Sequence, residues 1–413
     1  MNYRIYPPAR QSRVSVKLPL SKSESNRALL IRALTDAPLP EMTSAQCDDT
    51  RAMLAALKKT EGEVNVGAAG TAMRFMTAYY AATPGTDIVI DGTSRMRKRP
   101  IAPLVDALRV LDADIEYLGE DGFPPMRIRG KRLKGGNVDI EASISSQFLS
   151  ALMMVGPTMA APLKINLTGT TISMPYIVMT VFMMMRAGVQ VLLSDNCILI
   201  SQGEYRPVEF NIDGDWSACS YWYELMAINA FQTVTVSPLS RNTIQGDSEL
   251  QRIFSRFGVN TTFLDDERAV YLSHSYERTK YYVADLSSQP DLAQTIAVTC
   301  CLKYIPFKLR GLSTLPNKET DRLLALKTEL NKLGFNVQVF RNEELAWDGS
   351  LSEVLPDTQI ETYNDHRMAM SFAPAAVIMP GIIIKNAEVV SKSYPGFWKD
   401  LQSVGFKIEA VEE

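Results

Sequence analysis

Residues 186–191, which read Arg-Ala-Gly-Val-Gln-Val, decide the fold because they end one helix, begin one strand and then recur along the chain. Glycine just after a helix takes the positive φ that the turn into a strand requires. A degenerate copy at 111–115 (L-D-A-D-I) has Ala113 in place of Gly, and the full copies are 256–260 (R-F-G-V-N), 332–337 (K-L-G-F-N-V) and 403–408 (S-V-G-F-K-I). The copies are 70 to 76 residues apart, which predicts about six mixed α/β units and a fold built by duplication.

Length and composition are those of an ordinary globular protein with two or three domains. The chain has 413 residues, with 43 Lys and Arg against 46 Asp and Glu, so its net charge is −3. General nucleic-acid binding is disfavoured, because it usually needs a basic surplus. The two histidines, His274 and His366, lie far apart, so we expect no metal centre and no other cofactor.

The five cysteines show no C-x-x-C spacing, and this predicts buried free thiols in a reducing compartment. The N-terminal residues lack the apolar segment of a signal peptide. The longest mostly apolar stretch, 372–384, contains two prolines and is too short to cross a bilayer. We therefore expect a cytoplasmic protein that does not bind membranes.

Several predicted strands lead directly into a loop of small or hydroxylated residues that opens a helix. The first such loop, 19–23 (P-L-S-K-S), lies between a strand at 13–17 and a helix at about 24–34. Backbone amides there, with Lys22 and Ser23 beside them and Arg27 one turn further, are suited to hold a phosphate. Taken alone, however, such a loop is more often a serine cap with solvated basic neighbours.

Three more loops of the N-terminal half have related features. Residues 67–71 (G-A-A-G-T) bring Gly70 to a helix start, where glycine permits close approach of an anion. Residues 95–99 (R-M-R-K-R) hold four cations, which favours a focused anion site, although most such runs are solvated faces. Residues 143–148 (S-I-S-S-Q-F) also start a helix, for which serine capping alone is the simplest explanation. Neither a P-loop nor a G-x-G-x-x-G occurs.

The C-terminal half places acids and cations at three more helix starts and one loop. Asp291 follows S-S-Q-P, Glu319 and Arg322 lie in 317–322 (N-K-E-T-D-R), and His366 lies in 363–367 (Y-N-D-H-R). Lys392 follows a strand at 382–384. Each has a plain explanation: an acid favoured by the helix dipole, a surface ion pair or a structural histidine.

The sum of these loops is more informative than any one of them. Cations, serines and glycines at strand-to-helix junctions, with a few acids, are typical of an enzyme that acts on small, multiply anionic molecules by acid–base chemistry. A non-catalytic anion-binding or scaffold protein remains the alternative from another class, and it would not need both Asp291 and Glu319.

The order and wording of these segments resemble the 5-enolpyruvylshikimate-3-phosphate synthases, a family of enolpyruvyl transferases. The matching segments are spread over nearly the whole chain in family order. They are S-K-S-E-S-N-R-A-L (21–29), G-A-A-G-T-A-M-R (67–74), R-M-R-K-R-P-I (95–101), S-I-S-S-Q-F-L-S-A-L (143–152), M-P-Y-I (174–177), G-D-W-S-A (214–218), N-K-E-T-D-R (317–322), Y-N-D-H-R-M-A-M (363–370) and S-K-S-Y-P (391–395).

The resemblance implies an α/β protein with a two-domain inverse α/β barrel-like fold, each domain having three βαβαββ repeat units. The N-terminal domain, on the shikimate 3-phosphate side, would be 14–212. The C-terminal domain, on the phosphoenolpyruvate side, would be 213–413 with 1–13, and the active site would lie in the interdomain cleft. We expect a monomer.

The implied reaction transfers the enolpyruvyl group of phosphoenolpyruvate to the 5-hydroxyl of shikimate 3-phosphate by addition and elimination, with release of phosphate. Lys22 would serve the bridging oxygen, Asp291 would be the base at the hydroxyl, and Glu319 would exchange the proton at the methylene carbon. Asp365 and His366 are further candidates.

The resemblance also implies two sets of binding residues. Shikimate 3-phosphate would be held by Lys22, Ser23, Arg27, Ser145, Ser146, Gln147, Ser173, Tyr176, Asp291 and Lys318. Phosphoenolpyruvate would be held by Lys22, Gly70, Arg95, Gln147, Arg322, Arg367 and Lys392. Bidentate arginine pairing suits the phosphate and carboxylate of that substrate.

The chain departs from the family pattern at Leu20, where Gly is common, and at Ala68, where Asn is common. Within the fold family the runner-up is the enolpyruvyl transferase for UDP-N-acetylglucosamine, which has K-N at the first motif and a loop cysteine. An RNA 3′-phosphate cyclase is less favoured, because the chain lacks a basic surplus.

Overall fold

A computed structural model describes residues 1–9, 12–35, 37–43, 46–277, 279–354 and 358–412. The chain forms two compact units. The terminal unit consists of Met1–Ser21 and Asp213–Glu413, and the inserted unit consists of Lys22–Ile212.

Helices and strands alternate along the described residues. The strands are β1 (Asn2–Tyr6), β2 (Arg13–Lys17), β3 (Glu61–Asn65), β4 (Asp87–Asp91), β5 (Asp114–Tyr117), β6 (Met126–Arg129), β7 (Gly136–Glu141), β8 (Leu163–Thr168), β9 (Val191–Leu193), β10 (Cys197–Ile200), β11 (Thr233–Ser237), β12 (Val259–Leu264), β13 (Ala269–His274), β14 (Tyr282–Asp285), β15 (Phe307–Arg310), β16 (Gln338–Phe340), β17 (Glu344–Trp347), β18 (Gln359–Ile360), β19 (Ile382–Ile384) and β20 (Lys407–Val411). The helices are α1 (Lys22–Ala33), α2 (Asp48–Leu57), α3 (Gly70–Ala82), α4 (Ala102–Val110), α5 (Ser146–Val155), α6 (Met174–Arg186), α7 (Trp216–Ala227), α8 (Leu250–Ser255), α9 (Ala293–Leu302), α10 (Arg322–Lys332), α11 (His366–Phe372) and α12 (Phe397–Ser403). The predicted α/β class is confirmed.

The inserted unit contains two four-stranded sheets with the orders β3-β4-β6-β5 and β7-β8-β10-β9. In each sheet the first two strands are parallel and the other pairings are antiparallel. A helix joins the parallel pair, because parallel neighbours need a crossover connection. Each sheet with its helices is one βαβαββ repeat. The described part of residues 22–60 has α1 and α2 but no strand, so two of the three predicted repeats carry their own sheet here.

The terminal unit contains three sheets of the same pattern, with the orders β2-β11-β13-β12, β14-β15-β17-β16 and β18-β19-β1-β20. The first strand of the chain completes the last of these sheets, where Tyr3 lies between Ile384 and Ala410. The second strand runs parallel to β11, with Val14 opposite Val234. Both ends of the chain therefore contribute strands to this unit.

The predicted start of the N-terminal domain at Val14 differs from the structure. Strand β2 pairs with β11, so residues up to Ser21 belong to the terminal unit. The alternating pattern at 13–17 predicts the strand correctly, but it carries no information on the partner, which follows the whole inserted unit in sequence.

Three helices form the centre of the terminal unit. All residues of α9 and α11 are buried, α7 packs on α9, and α9 packs on α11. Helices that are buried on all sides belong in a core, which leaves the three sheets outside the helices. The hydroxyls of Ser220, Thr295 and Ser371 link the three helices at 3.0 and 3.4 Å.

The recurring helix ending has the predicted conformation. Gly188, Gly258, Gly334 and Gly405 have φ between 86° and 102°. In the degenerate copy the left-handed residue is Asp112 (φ 78°), so the predicted equivalence of Ala113 to glycine was wrong by one position. Aspartate tolerates this region because its short side chain can bond locally.

The five cysteines are free, but Cys197 is only half-buried, which corrects the prediction that all of them are buried. Among the helices in the described ranges, none combines the length and the apolar character that crossing a membrane requires.

Candidate active site

Seven predicted site residues of the terminal unit lie together, and we call them the terminal cluster. They come from the starts of α9, α10 and α11 and from the end of the 3₁₀ helix Ala387–Lys392. The members are Asp291, Lys318, Glu319, Arg322, Asp365, Arg367 and Lys392.

Arg322 is the centre of the terminal cluster. Its side chain is 2% exposed. Nε donates to Asp365 Oδ2 at 2.7 Å, Nη1 to Asp291 Oδ1 at 2.8 Å and Nη2 to Glu319 Oε2 at 2.9 Å. Burial lowers the pKa of Arg322, but the three carboxylates raise it by more, so the guanidinium stays charged.

The other cations of the terminal cluster reach the same carboxylates from different segments. Lys318 Nζ lies 3.3 Å from Asp291 Oδ1, and Arg367 Nη2 donates to Asp291 Oδ2 at 3.3 Å. Lys392 Nζ donates to Glu319 Oε1 at 2.6 Å. Four cations thus meet three carboxylates, and the excess positive charge suits an anionic ligand.

Asp291 is held in its ionised form. Burial raises the pKa of its carboxyl, but Lys318, Arg367 and Arg322 lower it by more, so the pKa lies well below its usual range. Opposite charges within a few ångströms favour the charged form of a carboxyl strongly.

Asp365 and His366 occupy buried positions at the start of α11. Asp365 caps the helix by accepting from the Arg367 backbone N–H at 2.8 Å. His366 Nδ1 lies 3.6 Å from Asp365 Oδ1. Asp365 therefore fixes Arg322 and the first turn of α11 at once.

Sequence reasoning missed Asp247, a buried acid of the 3₁₀ helix Gly246–Glu249. Ser217 Oγ donates to its Oδ2. Burial raises the pKa of Asp247 to about 6, although the charge of Arg367 acts in the opposite direction. Its only sequence signal is an acid in Q-G-D at the start of a helix.

In the inserted unit, Arg27 links the N-terminal halves of α1, α5 and α6. Nη2 donates to Ser150 Oγ at 2.9 Å and to the Tyr176 carbonyl at 3.2 Å, and Nε donates to Thr180 Oγ1 at 2.7 Å. Nη1 donates to the Ser23 carbonyl at 3.0 Å. Burial lowers the pKa of Arg27 to about 10.

The start of α3 lies beside the start of α5. Gln147 Nε2 donates to Thr71 Oγ1 at 3.2 Å, and Ser145 Oγ caps α5 by accepting from the Gln147 N–H at 3.2 Å. The N-terminal halves of four helices therefore pack together in this unit, and helix N-termini attract anions through their N–H groups and dipoles. Ser146 and Ser173 are buried at the starts of α5 and α6, and Ser173 has φ 58°.

Lys22 begins α1 and pairs with Asp49, a second residue that sequence reasoning missed. The Nζ–Oδ2 distance is 3.1 Å, and Asp49 is buried on α2. We call Lys22, Ser23, Arg27, Ser145, Ser146, Gln147, Ser173 and Tyr176 the inserted cluster.

The basic run at 95–99 separates into different environments. Arg95, Arg97 and Lys98 are exposed, and Arg97 donates to Asp91 Oδ1 at 2.9 Å. Arg99 is buried beside Gly70, where an added Cβ would lie 2.6 Å from Arg99 Nη1. A side chain at position 70 would therefore have to displace the end of the Arg99 side chain.

Across the part of the chain that the structure describes, no group of three or more His, Cys, Asp or Glu residues is arranged to hold a metal ion.

Comparisons with known proteins agree with one another. The family model described as EPSP synthase (3-phosphoshikimate 1-carboxyvinyltransferase) matches residues 59–401. A Bacteroides fragilis (strain YCH46) protein named 3-phosphoshikimate 1-carboxyvinyltransferase is 44% identical over all of both chains. One of the same name from Sulfurovum sp. (strain NBC37-1) is 36% identical and is aligned over 98% of this chain and 99% of that protein.

A solved structure of EPSP synthase from Acinetobacter baumannii has the same fold. It is 21% identical, with a TM-score of 0.73 over all of both chains. The predicted two-domain inverse α/β barrel fold is therefore confirmed. Because the family model covers most of the chain and full-length relatives exceed 30% identity, the chain belongs to the EPSP synthase (3-phosphoshikimate 1-carboxyvinyltransferase) family.

Proposed function

We propose that the inserted cluster binds shikimate 3-phosphate together with Asp291 and Lys318, and that Arg322, Arg367 and Lys392 of the terminal cluster bind phosphoenolpyruvate, so that both clusters act in the reaction of the family. That reaction transfers the enolpyruvyl group of phosphoenolpyruvate to the 5-hydroxyl of shikimate 3-phosphate and belongs to aromatic amino acid biosynthesis. Family membership confirms the transferase activity that the sequence predicts.

One observation carries the proposal: the terminal cluster, in which Arg322, Arg367 and Lys392 are buried, places four cations around the half-buried Asp291 and Glu319. In our proposal, Arg322, Arg367 and Lys392 clamp the phosphate and carboxylate of phosphoenolpyruvate. Guanidinium groups match both anions in a bidentate geometry. An incoming anion takes over hydrogen bonds that the carboxylates now accept.

The proposed proton transfers depend on the hydrogen bonds that the incoming anion takes over from the carboxylates. Asp291 is ionised at neutral pH, so it can accept the proton of the attacking hydroxyl. Anion binding to Lys318 and Arg367 weakens their hold on Asp291, which raises its pKa and makes it a stronger base. Glu319, which accepts from Lys392 and Arg322, exchanges the proton at the methylene carbon of phosphoenolpyruvate.

In the inserted cluster, the convergent helix N-termini and Lys22 hold the phosphate of shikimate 3-phosphate in our proposal. Ser23, Ser145, Ser146, Ser173 and Tyr176 provide polar groups, and Gln147 lies along the ring. Arg27 has a different part from the one that the resemblance implies. Protein acceptors take four of its five N–H groups, so it mainly positions α1, α5 and α6.

Gly70 and Arg95 complete the proposed phosphoenolpyruvate set. Gly70 opens α3 with Arg99 packed against it, and Arg95 is the first cation of the exposed part of the basic run. The interdomain location of the active site, the monomeric state and the cytoplasmic location stay predictions.

The first experiment measures phosphate release from phosphoenolpyruvate with and without shikimate 3-phosphate, in the presence of a chelator. We expect release to require both substrates and to be unaffected by the chelator. Release without shikimate 3-phosphate would contradict the proposed reaction.

The second experiment tests Glu319 with a matched control. Glu319→Gln should bind phosphoenolpyruvate but turn over at least about 100-fold more slowly, because a positioned proton-transfer group contributes about 10²–10⁴-fold. Glu249 is the control, since it also pairs with an arginine at i+3 but on the surface. Glu249→Gln should retain normal turnover, and an unchanged kcat in Glu319→Gln would remove Glu319 from the mechanism.

A further inference from the structure

The chain bends sharply just before Asp365, in a turn at 362–365 that nothing in the reaction explains. Asp365 N–H donates to the Thr362 carbonyl at 2.8 Å. Both central residues have left-handed backbones, Tyr363 with φ 54° and Asn364 with φ 57°. Turns with positive φ at both central positions are dominated by Gly, Asn and Asp. A tyrosine there is strained, and such strain persists only when the surroundings hold it.

Glu329 holds the tyrosine. Its carboxylate is completely buried on α10 and accepts from Tyr363 OH at 2.6 Å and from the Glu361 N–H at 3.1 Å. Lys332 Nζ balances the charge at 2.7 and 2.9 Å. Hydrogen bonds to a buried carboxylate are among the strongest in proteins.

Glu329 lies on the same helix as Arg322. The two residues are seven positions apart, which is two turns, so they share one face of α10. Arg322 binds Asp365, the last residue of the strained turn, and Glu329 binds Glu361 before the turn and Tyr363 within it. Helix α10 therefore holds the chain both before the turn and at its end.

Asn364 makes a second link, to the segment that ends at Lys392. Asn386 Nδ2 donates to Asn364 Oδ1 at 2.5 Å, and Asn386 directly precedes the 3₁₀ helix Ala387–Lys392. Asn386 is itself left-handed, with φ 47°, and its N–H donates to Asn2 Oδ1 at 3.0 Å. The turn thus joins the segments that carry Arg322, Arg367 and Lys392.

We propose that Glu329 and Tyr363 are positioning residues that set Arg367 and Asp365 at the distance from Arg322 which phosphoenolpyruvate binding requires. The inference rests on the proposed role of the terminal cluster as the phosphoenolpyruvate clamp. Neither residue needs to touch substrate, because the effect passes through the backbone of the strained turn.

Tyr363→Phe is the decisive variant, because it keeps the ring and removes only the hydroxyl. We expect its KM for phosphoenolpyruvate to rise about tenfold, the equivalent of one hydrogen bond to a charged group. Its KM for shikimate 3-phosphate should stay within about twofold of wild type, because the turn supports only the clamp.

Tyr304→Phe is the matched control. Tyr304 also has φ 54° in the terminal unit and is also exposed, at 60% against 37% for Tyr363, but it follows α9 and lies outside the turn at 362–365. Its KM for both substrates should be unchanged. A Tyr363→Phe variant with an unchanged KM for phosphoenolpyruvate, or with equal increases for both substrates, would overturn the inference.

Glu329→Gln completes a double-mutant cycle with Tyr363→Phe. If the two residues act only through their hydrogen bond, the double variant has the same KM for phosphoenolpyruvate as Glu329→Gln alone. Additive effects on this KM would show that the two residues act independently and would overturn this part of the inference. Arg367→Lys separates the two proposals. If the KM for phosphoenolpyruvate rises in Arg367→Lys but not in Tyr363→Phe, only the positioning role is overturned. If this KM is unchanged in both variants, the proposed clamp is overturned as well.

Discussion

Asp365→Asn tests whether the buried charge of Asp365 stabilises the terminal unit. The substitution keeps the shape of the side chain and the acceptor that caps α11, because asparagine caps helices as well as aspartate does. It removes the negative charge from Arg322, which is almost fully buried and bonds to Asp365 at 2.7 Å. Asp291 and Glu319 still pair with Arg322, so the guanidinium loses one of its three carboxylates.

The expected loss follows from the one short bond that changes. A hydrogen bond to a charged group contributes about 1.5–3 kcal/mol, and the second contact of Arg322 with Asp365, at 3.4 Å, adds little. We therefore expect a loss of about 2–3 kcal/mol. For a unit of this size, about 2–4 °C per kcal/mol gives a fall in Tm of about 4–12 °C.

Calorimetric unfolding at neutral pH measures the effect, with Asp321→Asn as the control. Asp321 caps α10 by accepting from two backbone N–H groups, so asparagine can replace it with little loss of stability. Its Tm should change by less than about 2 °C. Equal Tm values for the Asp365→Asn variant and the wild type would refute the reasoning that the charge of Asp365 stabilises Arg322.

Three more predictions concern single side chains. Lys22→Met should abolish turnover, because the loop at 19–23 loses its cation. Lys58→Met, at the exposed end of α2, should leave turnover unchanged. A steady-state assay that finds Lys22→Met active would contradict this prediction. Asp247→Asn should stabilise the protein only at higher pH, because the pKa of Asp247 is about 6 in the folded state against 3.8 in the unfolded state. The wild type therefore loses stability as the pH rises through the folded pKa. Chemical denaturation should show the variant and the wild type equally stable at pH 4, and the variant up to about 3 kcal/mol more stable at pH 8. Arg27→Lys should lower stability by about 3 kcal/mol, since lysine cannot make the planar set of bonds to Ser150 and its neighbours; an unchanged denaturation midpoint would argue against the positioning role.

Much of the local structure could be predicted from sequence, because its causes are local. The glycine endings at Gly188, Gly258, Gly334 and Gly405 have the predicted left-handed backbone. The misplaced copy near Ala113 shows the limit: aspartate at 112 meets the same need, and a search for glycine passes over it.

The terminal cluster could be predicted in membership but not in pairing. N-K-E-T-D-R and Y-N-D-H-R mark helix starts, yet neither segment indicates that Arg322 bonds to Asp365. Asp49, Asp247 and Glu329 were missed for the same reason, since an isolated acid on a helix has no distinguishing local pattern. Their importance lies in partners from other segments.

The sequence by itself determined the alternation of helices and strands, the helix starts rich in serine, glycine and cations, and the family. Propensity, capping and turn chemistry act over a few neighbouring residues, and a linear pattern records them. The tertiary structure alone decided that β2 joins the terminal unit, that Arg27 bonds to three helices, and that Glu329 holds a strained turn beside the terminal cluster. These outcomes depend on burial and on contacts between segments that are distant in sequence. The energy of a buried charge depends on the side chains that the fold packs next to it.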